Sequence, residues 1–187
     1  ETSLGHAGEH LDDVLKHRTA GLSPPLTMSD ALSSNLVTTA PVKTAYCNAH
    51  ARRQFVDVEH LYPKDIGWVL DTYARIWKAD DEAKEQNMNP AERLAHHQKY
   101  SLPAMEEIKA WAEKRQASAA FEEHSAIGKA ILYFLRHYDR LILFCVEPHA
   151  LIDNNRMEEK LKIVIRGRKT AHFYKTTNGA GVANVLI

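Results

Sequence analysis

"PLTMSDALSSNLVTTAPVKTAYCN", residues 25–48, holds two short segments on which the fold class turns. PLTMSD (25–30) and VKTAYCN (42–48) carry β-branched or aromatic residues between proline and polar breakers, the pattern of buried strands. Upstream, EHLDDVLKHR (9–18) sets Leu11, Val14 and Leu15 on one face of a short helix, and GLSPP ends it because proline has no amide proton. From about Arg52 to Val146 the apolar period becomes helical. Ile66, Val69, Leu70, Tyr73, Ile76 and Trp77 follow three-and-four spacing, as do Leu102, Met105, Ile108 and Trp111, and then Ile127, Ile131, Phe134, Leu135, Tyr138, Leu141 and Ile142. Asn89 stands as an N-cap before Pro90, where a missing donor does no harm. A helix and a strand are expected at the C-terminus. The sum is an α/β fold whose strands are interrupted by a helical block.

The bulk numbers bound what such a fold can do. The chain has 187 residues, 44% of them hydrophobic, enough for one sizeable core or a core plus a small lobe. Its 24 basic and 24 acidic side chains cancel, so no overall field draws it to nucleic acid or anionic lipid. Local charge does not cancel. Residues 56–124 hold 14 acidic against 9 basic side chains, whereas 156–175 hold 7 basic against 2 acidic. The longest apolar run, Leu141–Val146, is far short of the roughly 20 residues that span a membrane. Two cysteines 98 positions apart fit a reducing compartment, so a soluble cytoplasmic protein is expected. Residue 1 is Glu rather than Met, and the chain is expected to begin inside a longer reading frame.

Three constellations could carry chemistry. The first is the basic tail: Arg156, Lys160, Lys162, Arg166, Arg168, Lys169 and Lys175, with Arg52 and Arg53 as a second basic couple. Such residues neutralise phosphates, although a basic run alone is more often a solvated helix face. The second is carboxylates. Asn155-x-x-Glu158 has the spacing of a capping box, the ordinary reading, yet a carboxylate at a helix start can also hold a divalent ion. Asp30, at the C-terminal end of a predicted strand, is where α/β folds present functional groups, and it could equally be a turn or cap residue. The third is Cys47-x-x-His50 with Cys145-x-x-x-His149, spaced like a Cys2His2 zinc set. Because Cys145 closes the apolar run LILFC, two packed thiols are the preferred reading.

Taken together, MSDAL (28–32), CNAHARRQFVDV (47–58), LIDNNRMEEKLK (151–162) and RKTAHFYKTTNGA (168–180) resemble, in order and spacing, the bacterial insertion-sequence transposases of family sixty-six. The helix SAIGKAILYFLRHYDRL (125–141) is similar to that family's as well. The resemblance implies a DDE-type enzyme of DNA transposition and recombination: a mobile-element protein that cuts and joins DNA strands by phosphoryl transfer with two Mg2+ ions. It implies a partial RNase H-like core, lacking its first strands, interrupted by a mainly α-helical insertion. In those terms residues 1–54 are core with the second acid, 55–150 the insertion, and 151–187 the core helix with the third acid and the basic tail. By motif, Asp30 falls on the second acid and Glu158 on the third, both as catalytic metal ligands. Cys47 and His50 lie near the site without implying zinc, and Asn154 and Asn155 fix the helix start that aims Glu158. Arg52, Arg53, Arg168, Lys169 and Lys175 would contact DNA, at transposon ends and target.

The family's first acid lies upstream of the region matching GHAGEHLDDVLKHR, and Asp12 and Asp13, on a predicted helix, are poor substitutes. Glu159 stands where the family usually has arginine, and Thr170 where it has asparagine. The chain alone is therefore expected to be inactive, with a second copy or the upstream part of the same transposase as possible partners. The alternative is a non-catalytic DNA-binding or assembly module, a decayed transposase remnant; a third reading is a small zinc-stabilised protein.

Overall fold

The structure is a computed structural model. It describes residues 7–19, 21–118, 122 and 124–170, with the side chains of residues 7 and 163–170 excepted. The described residues are mostly helical with one small parallel sheet, and the chain divides into two compact units.

The first unit takes in residues 1–22, 32–41 and 154–187. Its helix α1 (Ala7–Lys16) lies where periodicity expects a helix, but the face it buries differs. Leu11 and Val14 are exposed, while Asp12 is buried. Hydrogen bonding sets that orientation. Both carboxylate oxygens of Asp12 accept from the backbone and hydroxyl groups of Thr38 and Thr39, at 2.7 to 3.3 Å. Gly8 lets the loop close in, because a Cβ there would sit 2.3 Å from the Leu36 carbonyl oxygen. Asp12 therefore serves as a loop anchor, its pKa lowered chiefly by the Thr39 hydroxyl. The last helix of this unit, α6, spans Asn155–Thr170. The strand expected after it lies outside the described residues.

The second unit, residues 23–31 and 42–153, holds the sheet and most of the helices. Strands β1 (Leu26–Ser29) and β2 (Lys43–Tyr46) pair in parallel, Leu26 opposite Lys43 and Ser29 opposite Tyr46. Parallel strands cannot be joined by a tight hairpin and need a crossover of a dozen or so residues, which 30–42 supplies. Helix α2 (Asn48–Val56) starts directly after β2, earlier than the Arg52 suggested by periodicity. Then come α3 (Pro63–Glu85), α4 (Pro90–Ala117) and α5 (Ala126–Leu141), closed by a 3-10 turn at Ile142–Cys145.

The predicted stripes do face the core: Ile66, Val69, Tyr73, Ile76, Met105, Ile108, Ile127, Phe134 and Leu141 are all buried. Phe55 of α2 sits among them, with ring centroids of Tyr73, Trp111 and Phe134 at 6.3, 6.2 and 6.1 Å. Asn89 caps α4 as expected, and Glu92 completes the reciprocal box by accepting from the Asn89 amide at 2.9 Å. Buried Asn48 ties three elements together: its side-chain amide donates to the carbonyls of Leu141 and Ile152, and its backbone amide also donates to Ile152.

Candidate active site at the strand ends

A side chain just past the C-terminal end of a parallel strand is free of the ladder and points to open ground, which is why such folds place ligands there. Asp30 follows β1, and Cys47 follows β2 at the same end of the pair. The Cys47 amide donates to the Ser29 carbonyl at 2.9 Å, so the residue before Asp30 and the residue before α2 are joined through the backbone. Asp30 is half-buried, Cys47 fully buried, and His50, in the first turn of α2, half-buried.

Helix α5 covers this end of the sheet. The Tyr133 hydroxyl donates to the Asp30 carbonyl at 3.3 Å. Burial, then the charge of Asp30, pushes the Tyr133 pKa up to about 12, so the phenol stays protonated at neutral pH and remains a donor. The His137 ring meets Tyr133 edge-on at 4.7 Å and Tyr46 at 5.0 Å. Arg140 closes the row, donating to the Tyr46 hydroxyl at 2.5 Å. Burial, then Arg136 and Arg140, holds His137 below the usual imidazole range, which favours its neutral ring in this row.

The other sequence-predicted residues fall elsewhere. Arg53 is exposed on α2 and Arg52 half-buried. Glu158 lies in the first turn of α6, half-buried, in the other unit from Asp30. The helix starts at Asn155, so Asn154 occupies the cap position, its carbonyl accepting from the amides of Met157 and Glu158 at 2.9 and 3.0 Å. Glu158 is thus one residue past the position that a capping box requires. Arg156, Lys160 and Lys162 are exposed on the same helix. Arg168 and Lys169 belong to its last turn with side chains outside the described set, and Lys175 lies outside the described residues altogether.

Magnesium takes oxygen ligands, often one or two carboxylates with water completing the shell. Asp30 and Glu158, both half-buried carboxylates, each fit as a single ligand of that kind. Among the described residues no three His, Cys, Asp or Glu side chains gather into a set that could hold a metal by itself. The Cys145 thiol donates to the His97 carbonyl at 3.9 Å, and burial pushes its pKa up to about 12.

One polar constellation escaped the sequence reading. Asp80 of α3 is buried, with Arg93 at 2.6 Å, Lys84 at 2.7 Å and His97 Nε2 at 3.3 Å, and His97 Nδ1 lies 2.9 Å from Ser101 Oγ. An Asp, His, Ser order invites comparison with hydrolytic triads. Here all three residues are sealed from solvent, so no substrate reaches the hydroxyl and the set serves as a buried structural network. Its signal is the spacing of Arg93, His97 and Ser101, four apart along one face of α4, opposite Asp80 and Lys84, four apart on α3.

Comparison with known proteins gives three findings. The model of the family described as "Transposase IS66 family" matches residues 2–182. Two similar proteins, both from Sinorhizobium fredii, carry the descriptions uncharacterized protein y4jD and uncharacterized protein y4hP; they are 30% identical over 149 residues and 28% identical over 158. Each alignment covers 79% of this chain, and the chain spans 28% of the length of each relative. No solved structure gives a significant match. Among the described residues no helix is long and apolar enough to cross a membrane.

Proposed function

The chain belongs to the IS66 transposase family, and from that premise we propose that it is the part of a DDE-type transposase that carries the second and third acids, Asp30 and Glu158. In this reading the sheet is a portion of an RNase H-like core, interrupted by the helical block 55–150. The substrates are DNA, at the ends of the mobile element and at its target. The observation that carries the proposal is the placement of Asp30, a half-buried carboxylate immediately past a parallel strand, within the family match.

Two bound Mg2+ ions would supply the means of activating an attacking water or 3′-hydroxyl and of stabilising the leaving oxygen. The rest falls to the chain's own residues. Asp30 and Glu158 offer carboxylate oxygens to the ions, and Asn154 and Asn155 set the start of the helix that bears Glu158. In each unit cations neutralise backbone phosphates and fix the register of the strand: exposed Arg53 on α2, with half-buried Arg52 beside it, and exposed Arg156, Lys160 and Lys162 on α6. Arg168, Lys169 and Lys175 extend that basic track in sequence. The opposing acidic balance of residues 56–124 keeps DNA off the helical block and leaves that surface to protein contacts.

With two of three acids, the isolated 187-residue chain does not cleave DNA. The test is a nicking and strand-joining assay in Mg2+, run on this chain and on a version extended upstream through a strand bearing an aspartate. Cleavage by the extended protein alone, lost in Asp30→Asn and in Glu158→Gln, is the expected result. Cleavage by the 187-residue chain, or an extended protein indifferent to either substitution, would overturn the assignment.

A further inference from the structure

The residue after the strand-end acid is held against its own preference. Ala31 adopts φ 66, in the left-handed region, which is unfavourable for a residue with a Cβ. Such a conformation persists where the surroundings over-determine it, and it gathers at functional sites. The peptide that joins Asp30 to Ala31 has a partner 103 positions away: its carbonyl accepts from the Tyr133 hydroxyl at 3.3 Å. Tyr133 is itself fixed. His137, one helical turn on, braces its ring edge-on and also meets Tyr46 at the end of β2, whose hydroxyl Arg140 holds. A row on α5 thus grips the ends of both strands, and the grip closes on the peptide that carries the acid.

The geometry points to Tyr133 as a positioning residue for Asp30: its hydroxyl fixes the turn at Asp30–Ala31, so that the carboxylate is aimed before any ion arrives. The role of Asp30 as a metal ligand is taken from the function proposed above; the clamp itself is a property of the backbone. A ligand whose geometry is set beforehand loses less freedom on binding; where a partner bonds the ligating group itself, its removal typically weakens metal affinity about 10- to 100-fold, and the Tyr133 bond acts one step further back, through the backbone of Asp30.

The test uses the 187-residue chain and the conservative variant Tyr133→Phe, which keeps the ring and its packing and removes only the hydroxyl. Two quantities are read: backbone order parameters of the Asp30 and Ala31 amides, and paramagnetic broadening of those amides during titration with Mn2+ as the probe. The expected result is a fall in order from about 0.85 toward 0.6, with Mn2+ affinity at these amides about tenfold weaker and the thermal midpoint essentially unchanged. Unchanged order at 30 and 31 overturns the inference, including the case where the only effect is a lower thermal midpoint. Broadening that is absent, or that survives Asp30→Asn, overturns Asp30 as a ligand, while the order parameters still decide for or against the clamp.

Discussion

Replacing Phe55 by alanine is expected to destabilise the folded chain by about 3–5 kcal/mol, the range for deleting a fully buried aromatic side chain. Phe55 has no exposed surface, and its ring lies against three others, from α3, α4 and α5. Those helices meet around it, so none can close the cavity without giving up contacts of its own, which places the cost toward the upper part of the range. Since a domain of this size is stable by only about 5–15 kcal/mol, the loss should be evident as a much lower urea midpoint. A midpoint within a few tenths of a molar of the parent would show that the ring is not central to the core. The loss should be the same at pH 7 and pH 3.5, because no titrating group is involved.

Asp80→Ala should cost about 3 kcal/mol at neutral pH, the effect of removing one partner from a buried ionic group. Burial alone would raise the Asp80 pKa, but hydrogen bonds from His97 and Lys84 and the charges of Arg93 and Lys84 outweigh it and hold the carboxyl well below the ordinary range. Its folded pKa is therefore lower than its unfolded one, near 3.9. The stabilisation is complete above that unfolded value and is lost as pH falls toward the folded one. Parent and variant stabilities measured by urea titration should accordingly converge below about pH 4, where those of the parent and Phe55→Ala stay apart. A gap independent of pH would mean that Asp80 acts by packing rather than by charge.

Apolar periodicity made most of the fold legible. The stripes of α3, α4 and α5 are long, and burial of a helical face is a local rule repeated over many turns. The two strands were legible for a different reason, since β-branched and aromatic residues between breakers have few other uses. α1 shows where that reasoning stops. Its apolar residues suggested an inward Leu11 and Val14, yet the hydrogen bonds from Thr38 and Thr39 to Asp12, some 26 positions away, turned the helix the other way. No periodicity encodes a partner in a loop.

The candidate site divides along the same line. Asp30 could be placed at a strand end because the boundary of β1 was readable, whereas the strand expected over 42–48 stops at Tyr46 and leaves Cys47 just past it. Tyr133, His137 and Tyr46 could not be joined to them, because a 103-residue separation between Asp30 and Tyr133 is bridged only by tertiary packing. The buried Asp80 set lay between the two cases. Its members recur every four residues on facing helices, a polar stripe that would have been visible had apolar residues not been the ones sought.

The two cysteine thiols, finally, are sealed by the same packing that builds the helical unit. Cys47 has no exposed surface, and Cys145 has almost none and a strongly disfavoured thiolate. Alkylating reagents attack the thiolate, so at pH 8 they must wait for the interior to breathe. Iodoacetamide uptake at the two positions then becomes a clock: one rate for both would mean that strand end and helix terminus open in a single event, and two rates would divide the unit into parts that loosen separately.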